Sequence, residues 1–282
     1  MAKGLARLNA IDSRWLYAGM LLLLIIPFVV PIPIPASKAA PTTRGVFQTL
    51  DSCPADKVVV IDSSWDPGSA AENQAQLECL VRHLCQKRIK FVVTSVGVTP
   101  FGPEFARKTI TPIAEENRCV YGEDWVNAGY IQSAAGSIGV IIQKLCHDFQ
   151  AVYSTDADGT KMSALPLMQH VRDSHDIHAI ACITYAPSED WISFVSQFKV
   201  PVAFCCMTIM GPYYYRYWDS HQLAGILIGN SGAGEYENML GFRGRGTKLA
   251  LVQSFGNCAV ILAAILGNIG WWAERRQRRA RP

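Results

Sequence analysis

The chain has 282 residues, enough for one large domain or one domain with accessories. Half of them are apolar and 17% are charged, where a typical soluble domain carries about 25% charged residues. The apolar excess gathers in two blocks near the ends. The arginine-rich tail could bind nucleic acid or anionic lipid but reads first as a topology anchor, and no nucleic-acid partner is expected.

Residues 1–14 carry Lys3, Arg7 and Arg14 and read as a cytoplasmic N-terminus. The uncharged block "WLYAGMLLLLIIPFVVPIPIP" fills residues 15–35 and reads as a first transmembrane helix. At about 1.5 Å per residue, roughly 20 residues cross the hydrocarbon core. Trp15 and Tyr17 stand where amphipathic rings favour the headgroup zone. "PIPIP" cannot continue a helix, because proline lacks the amide donor and clashes with the preceding turn. A leader cleaved after "ASKAA" is the alternative reading. Residues 36–56 then form a proline-rich linker.

From 57 to 212, short β-rich runs alternate with amphipathic ones. "KVVVID", "IKFVVTSV", "IHAIACITYA" and "VPVAFCCM" read as strands. The runs starting at Ala70, Gly102, Ser133 and Ser188 read as helices, with a break at Pro112. Near-continuous apolar strands separated by helices predict a parallel sheet covered on both faces, an α/β Rossmann-like domain. In such sheets ligands bind beyond the carboxyl ends of the strands. That rim offers Asp62, Ser63 and Ser64, then Thr94 and Ser95, Thr184 and Tyr185, and Met207 and Thr208. Asp62, Ser63, Ser95 and Tyr185 are the candidate ligand residues. The competing reading is structural: Asp66 or Ser69 caps the next helix and Asp62 bonds within the turn.

Other chemistry is thin. No GxGxxG, Walker loop, GxSxG or HExxH occurs. "DADG" from Asp156 opens like a calcium loop but lacks the later carboxylates. His170, His175 and His178 cluster with Asp173 and Asp176, yet no helical spacing aligns them. No catalytic residues, metal or cofactor are expected. Of nine cysteines, Cys79, Cys85, Cys182, Cys205 and Cys206 fall on predicted elements and read as buried thiols. Cys53 and Cys119, both in loops, are the best candidates for a bridge.

Residues 213–246 read as an aromatic and glycine-rich juxtamembrane segment, with short helices at 220–228 and 235–240. Tyr213, Tyr214, Tyr215, Tyr217 and Trp218 resemble an interface belt against headgroups or a partner chain. "GNSGAG" would suit phosphate, but no strand is expected before it. Residues 247–272, uncharged from Leu249 to Trp272, read as a second transmembrane helix. Gly256, Ala259, Ala263, Gly267 and Gly270 share one face, as in spans that pack closely in lipid. The basic tail 273–282 follows. The positive-inside rule then leaves both termini cytoplasmic and the domain outside, at the cell (inner) membrane.

"VVVIDSSWDPGSAAENQAQLECLVRHL" and "GPYYYRYWDSHQLAGILIGNSGAGEYENML" resemble segments of a little-characterised group of prokaryotic membrane-anchored α/β proteins. The resemblance covers about 57–240. It implies a Rossmann-like domain on two anchors and brings no reaction. The shared positions Gln222, Leu223, Glu235, Tyr236 and Glu237 mark the juxtamembrane segment as distinctive, and Gln222, Glu235, Tyr236 and Glu237 join the expected interface. The expected function is a membrane-anchored, non-enzymatic scaffold that associates with itself or with other membrane subunits, and with lipid. The alternatives are a small-ligand or hydrolase-like domain using the Asp62 rim, and a solute-capture subunit of a transporter.

Overall fold

The structure, a computed structural model, describes residues 12–30, 38–97, 100–132 and 137–279. It divides into two compact units. One is residues 36–247; the other combines 1–35 with 248–282.

The first unit holds a six-stranded, all-parallel sheet in the order β3-β2-β1-β4-β5-β6. The strands are β1 (Val58–Ser64), β2 (Phe91–Gly97), β3 (Trp125–Gln132), β4 (Ile177–Thr184), β5 (Val202–Cys206) and β6 (Gly225–Ile228). Every residue of β5, and all but the last of β1 and β2, is buried. Strands covered on both faces need such continuous apolar runs. The order is that of a doubly wound sheet, so the expected α/β Rossmann-like class holds.

Helices cover both faces. On one lie α2 (Pro41–Asp51), α3 (Ala70–Lys87), α4 (Gly102–Glu116) and α9 (Gly229–Met239). On the other lie α5 (Ile138–His147), the single turn α6 (Phe149–Val152), α7 (Glu189–Val195) and α8 (Gly211–Asp219). Each face buries its own hydrophobic cluster against alternate strand residues: Val60, Val92 and Ile180 on one, Ile61, Val93 and Ala181 on the other.

Three expectations are corrected and one strand is added. The linker at 36–56 contains α2, and the domain unit starts there. Pro41 sits at the first helical position, where its missing amide is no loss. Pro112 does not break α4; Pro112 and Lys108 are exposed, so the freed carbonyl one turn back faces water. The stretch 125–132 is strand β3. Residues 220–228 contain β6 rather than a helix, because a short apolar run such as "GILI" carries no decisive period. α2 and β6 touch backbone to backbone. A Cβ on Gly45 would lie 2.2 Å from the Ala224 oxygen, and one on Gly225 would lie 2.3 Å from the Val46 nitrogen.

The second unit contains α1 (Ser13–Val29) and most of α10 (Arg245–Arg279). Among the described residues, one helix is long and apolar enough to cross a membrane: α10, over Arg245–Arg276, which contains an 18-residue stretch of mean hydropathy 2.0. α1 has 17 residues and falls short of that length. The "PIPIP" exit of the expected first span, with Lys3 and Arg7, lies outside the described residues. On the small-residue face of α10, Gly256 meets α1: a Cβ there would lie 3.3 Å from Leu24 Cδ2. Ala259 is half-buried, Gly270 is buried, and Ala263 and Gly267 are exposed.

Candidate functional site

The strand order reverses between β1 and β4, which places the crevice of a doubly wound sheet at Asp62–Ser64 and Cys182–Thr184. Asp62 is there, but it is only 1% exposed. Its Oδ1 accepts from Val96 N at 3.1 Å, its Oδ2 accepts from Trp191 Nε1 at 2.9 Å, and Ser64 Oγ lies 3.0 Å from both oxygens. Burial pushes its pKa up to about 7 against these donors. Two further side chains with hydroxyls, Thr94 and Tyr153, are buried on the same sheet face.

The other rim candidates are shut in as well. Ser63 is buried, and its Oγ accepts from Trp65 Nε1 at 2.8 Å. Ser95 is buried beneath the start of α4. A Cβ on Gly102 would come within 2.2 Å of Ser95 Oγ and 2.1 Å of the Ser63 oxygen, so only glycine lets α4 close over both strand ends. Tyr185 is half-buried against the α3 face and joins none of the three. The structure therefore gathers Asp62, Ser63 and Ser95 at two strand ends but seals them.

Beyond β4, β5 and β6, α3 plugs the rim. Gln76 Nε2 donates to the carbonyls of Cys206 at 2.8 Å and Leu227 at 3.1 Å, and Asn73 Nδ2 donates to that of Thr184 at 3.3 Å. "GNSGAG" does follow a strand, β6, and opens α9. Its anion position is already faced from within the chain. Glu72 Oε2 accepts from Thr208 N and Oγ1 at 2.6 and 3.0 Å, and lies 2.8 Å from where a Cβ on Gly229 would stand.

The "EYE" triplet of α9 bonds to three other parts of the chain. Glu235 Oε2 accepts from Ala40 N at 2.9 Å and Thr43 Oγ1 at 2.8 Å, capping α2 at the chain's entry. Glu237, 1% exposed, accepts from Gly244 N, Gly246 N, Thr247 N and Thr247 Oγ1 at 2.6–2.9 Å, capping the first turn of α10 at the exit. Between them the buried Tyr236 hydroxyl lies 2.7 Å from His83 Nδ1, and His83 Nε2 lies 3.1 Å from Asp51 Oδ1. Desolvation lowers the His83 pKa and favours neutral imidazole. A neutral ring satisfies both partners when Nε2 carries the proton toward Asp51 and Nδ1 accepts from Tyr236. This Asp–His–Tyr line resembles a catalytic relay, but His83 and Tyr236 are fully buried, and it serves to join α2, α3 and α9.

The aromatic segment is folded into the domain as α8, which corrects part of the expected interface. Tyr214 is buried against Phe204 at 4.4 Å, and Tyr236 and Glu237 are buried too, so none of the three faces a partner. Tyr213, Tyr217 and Trp218 are partly buried. The hydroxyls of Tyr213 and Tyr217, with Arg216, converge on Glu189. Tyr215 and Gln222 are exposed, as is nearby Ile209 at 79%.

The remaining motifs disperse. Asp156 accepts from Asp158 N, Thr160 N and Tyr121 Oη, holding a turn. His178 bonds the Thr49 carbonyl at 2.9 Å, while His175 pairs with Asp173. Among the described residues, no group of three or more His, Cys, Asp or Glu is placed to hold a metal. The thiol of Cys53 turns to the carbonyls of Pro54 and Lys57, and Cys53 and Cys119 are both free thiols. Trp191, Glu72, Gln76 and His83 were not singled out from the sequence, since their partners lie far along the chain. Compared with known protein families, with curated proteins and with solved structures, the chain matches none.

Proposed function

We propose that this chain is a membrane-anchored, non-enzymatic interaction subunit. Its Rossmann-like domain is held by both ends on the extracytoplasmic side of the cell membrane and assembles with copies of itself or with other membrane subunits. The observation that carries this reading is the acid pair on α9. Glu235 caps the helix at the domain's entry and Glu237 caps the helix at its exit. Entry and exit thus gather at one helix, as a domain hung from one bilayer by both ends requires. The apolar α10 supplies one anchor, and the apolar residues before α2 supply the other. Arginines on both flanks set the orientation. The resemblance to prokaryotic membrane-anchored α/β proteins supports the same layout. The sealed rim favours association over catalysis, since a substrate would have to displace α4 to reach Asp62. Exposed Tyr215, Gln222 and Ile209 supply contact surface near the sheet edge.

The test is gentle detergent extraction of the full chain followed by native mass measurement. Assembly with further copies or subunits is expected. If instead the chain is a lone particle and Asp62→Asn abolishes binding of a small ligand, the ligand-binding reading replaces this one.

A further inference from the structure

We propose that Trp271, Trp272, Arg275 and Arg276 form a binding site for the headgroup of an anionic phospholipid near the carboxyl end of α10. The site deepens the membrane-anchored reading and rests on it. α10 is uncharged from Leu249 to Trp272, and five arginines follow between 275 and 281. A cleft of about 330 Å³ opens at this boundary, lined among the described residues by Trp271, Trp272, Arg275 and Arg276. The spacing builds it. Residues four apart are neighbours along a helix surface, so Trp271 with Arg275 and Trp272 with Arg276 make two ridges with a groove between them.

Both arginines fold the same way. The Arg275 guanidinium lies over the Trp271 ring, 5.0 Å from its centroid, and that of Arg276 lies over Trp272 at 5.1 Å. Both distances are within the range of cation–π attraction. A guanidinium that only avoided lipid would extend away from the apolar stretch. These two turn back toward it, to the level of indoles that favour the headgroup zone. The rings are 52% and 57% exposed, and both arginines are exposed, so a ligand can reach all four. A guanidinium resting over a ring still offers its N–H edge, which matches phosphate oxygens two at a time. The carboxyl end of the helix opposes an anion with roughly half an elementary charge, against two full positive charges in the cleft. Glu274 is the one acid between 271 and 282. A zwitterionic headgroup brings its own cation, which the guanidiniums repel, whereas an anionic one does not. The cleft therefore selects by charge.

The test uses the full chain in mild detergent, titrated with phosphatidylglycerol or phosphatidylcholine of equal acyl chains, with bound lipid counted by native mass. Phosphatidylglycerol should bind about tenfold more tightly or better. Arg275→Gln with Arg276→Gln should remove that preference. Trp271→Leu with Trp272→Leu should reduce it although the charge is unchanged. The proposal is overturned if the two lipids bind alike, or if the tryptophan variant keeps the full preference. It is also overturned if inorganic phosphate or a short RNA displaces the lipid at equal concentration. Release of the chain from membranes by alkaline carbonate would overturn the anchored reading as well. A chain that stays embedded yet shows no lipid preference overturns this proposal alone.

Discussion

Asp62 shows how a residue can stand where chemistry is expected and be used for structure. Its carboxyl group is buried with Val96 N, Ser64 and Trp191 around it, and desolvation still lifts its pKa to about 7 from 3.8. The folded protein therefore holds a proton at Asp62 that the unfolded chain releases between about pH 4 and pH 7. Stability from this group is complete below pH 4 and is lost as pH rises through 7. The shift corresponds to about 4 kcal/mol as an order of magnitude. Asp62→Asn should flatten this part of the stability profile when thermal melting of variant and wild type is compared from pH 4 to pH 8. An unchanged slope would mean that Asp62 stays ionised in the fold. The position of Asp62 is legible in "KVVVID", since an acid ending an apolar run lies at a strand terminus. Its burial is not, because Trp191 lies 129 residues away and Gly102 closes the rim only in three dimensions.

Among the elements, α9 joins the most distant parts of the domain. Its acids cap two other helices, and its tyrosine meets His83 of α3. Glu237→Ala would leave three backbone amides and one hydroxyl without their acceptor, at a cost of about 2–4 kcal/mol. Hydrogen exchange should speed up first at Gly244, Gly246 and Thr247, before the sheet amides. Uniform acceleration across the domain would argue against a local clamp. Gly225→Ala should lower stability by about 2–3 kcal/mol in denaturant titration, because the new Cβ meets the backbone of α2. The long helices and the strands β1, β2, β4 and β5 are readable from hydropathy. β6 is not, because four apolar residues between two glycine-bearing turns fit either element. That one ambiguity hid the strand-to-helix context of "GNSGAG", and with it the role of Glu72. The "EYE" residues could be marked as distinctive from their resemblance, but their surface role could not be judged from sequence. Alternation along one helix does not say that Tyr236 and Glu237 both find buried partners.

For the whole molecule, the proposed role rests on a domain whose entry and exit meet at α9 and on the apolar helix α10 that begins at the exit. On sealed, right-side-out cells, added protease should cleave the domain and spare the basic tail. Cleavage of the tail with an intact domain would reverse the orientation. The most direct test of the interaction role is the native mass of the particle released by mild detergent. The account predicts a mass above that of one 31.0 kDa chain after correction for detergent, from added copies or from other subunits. A particle containing a single chain and no other protein, across the concentrations found in the membrane, would contradict it.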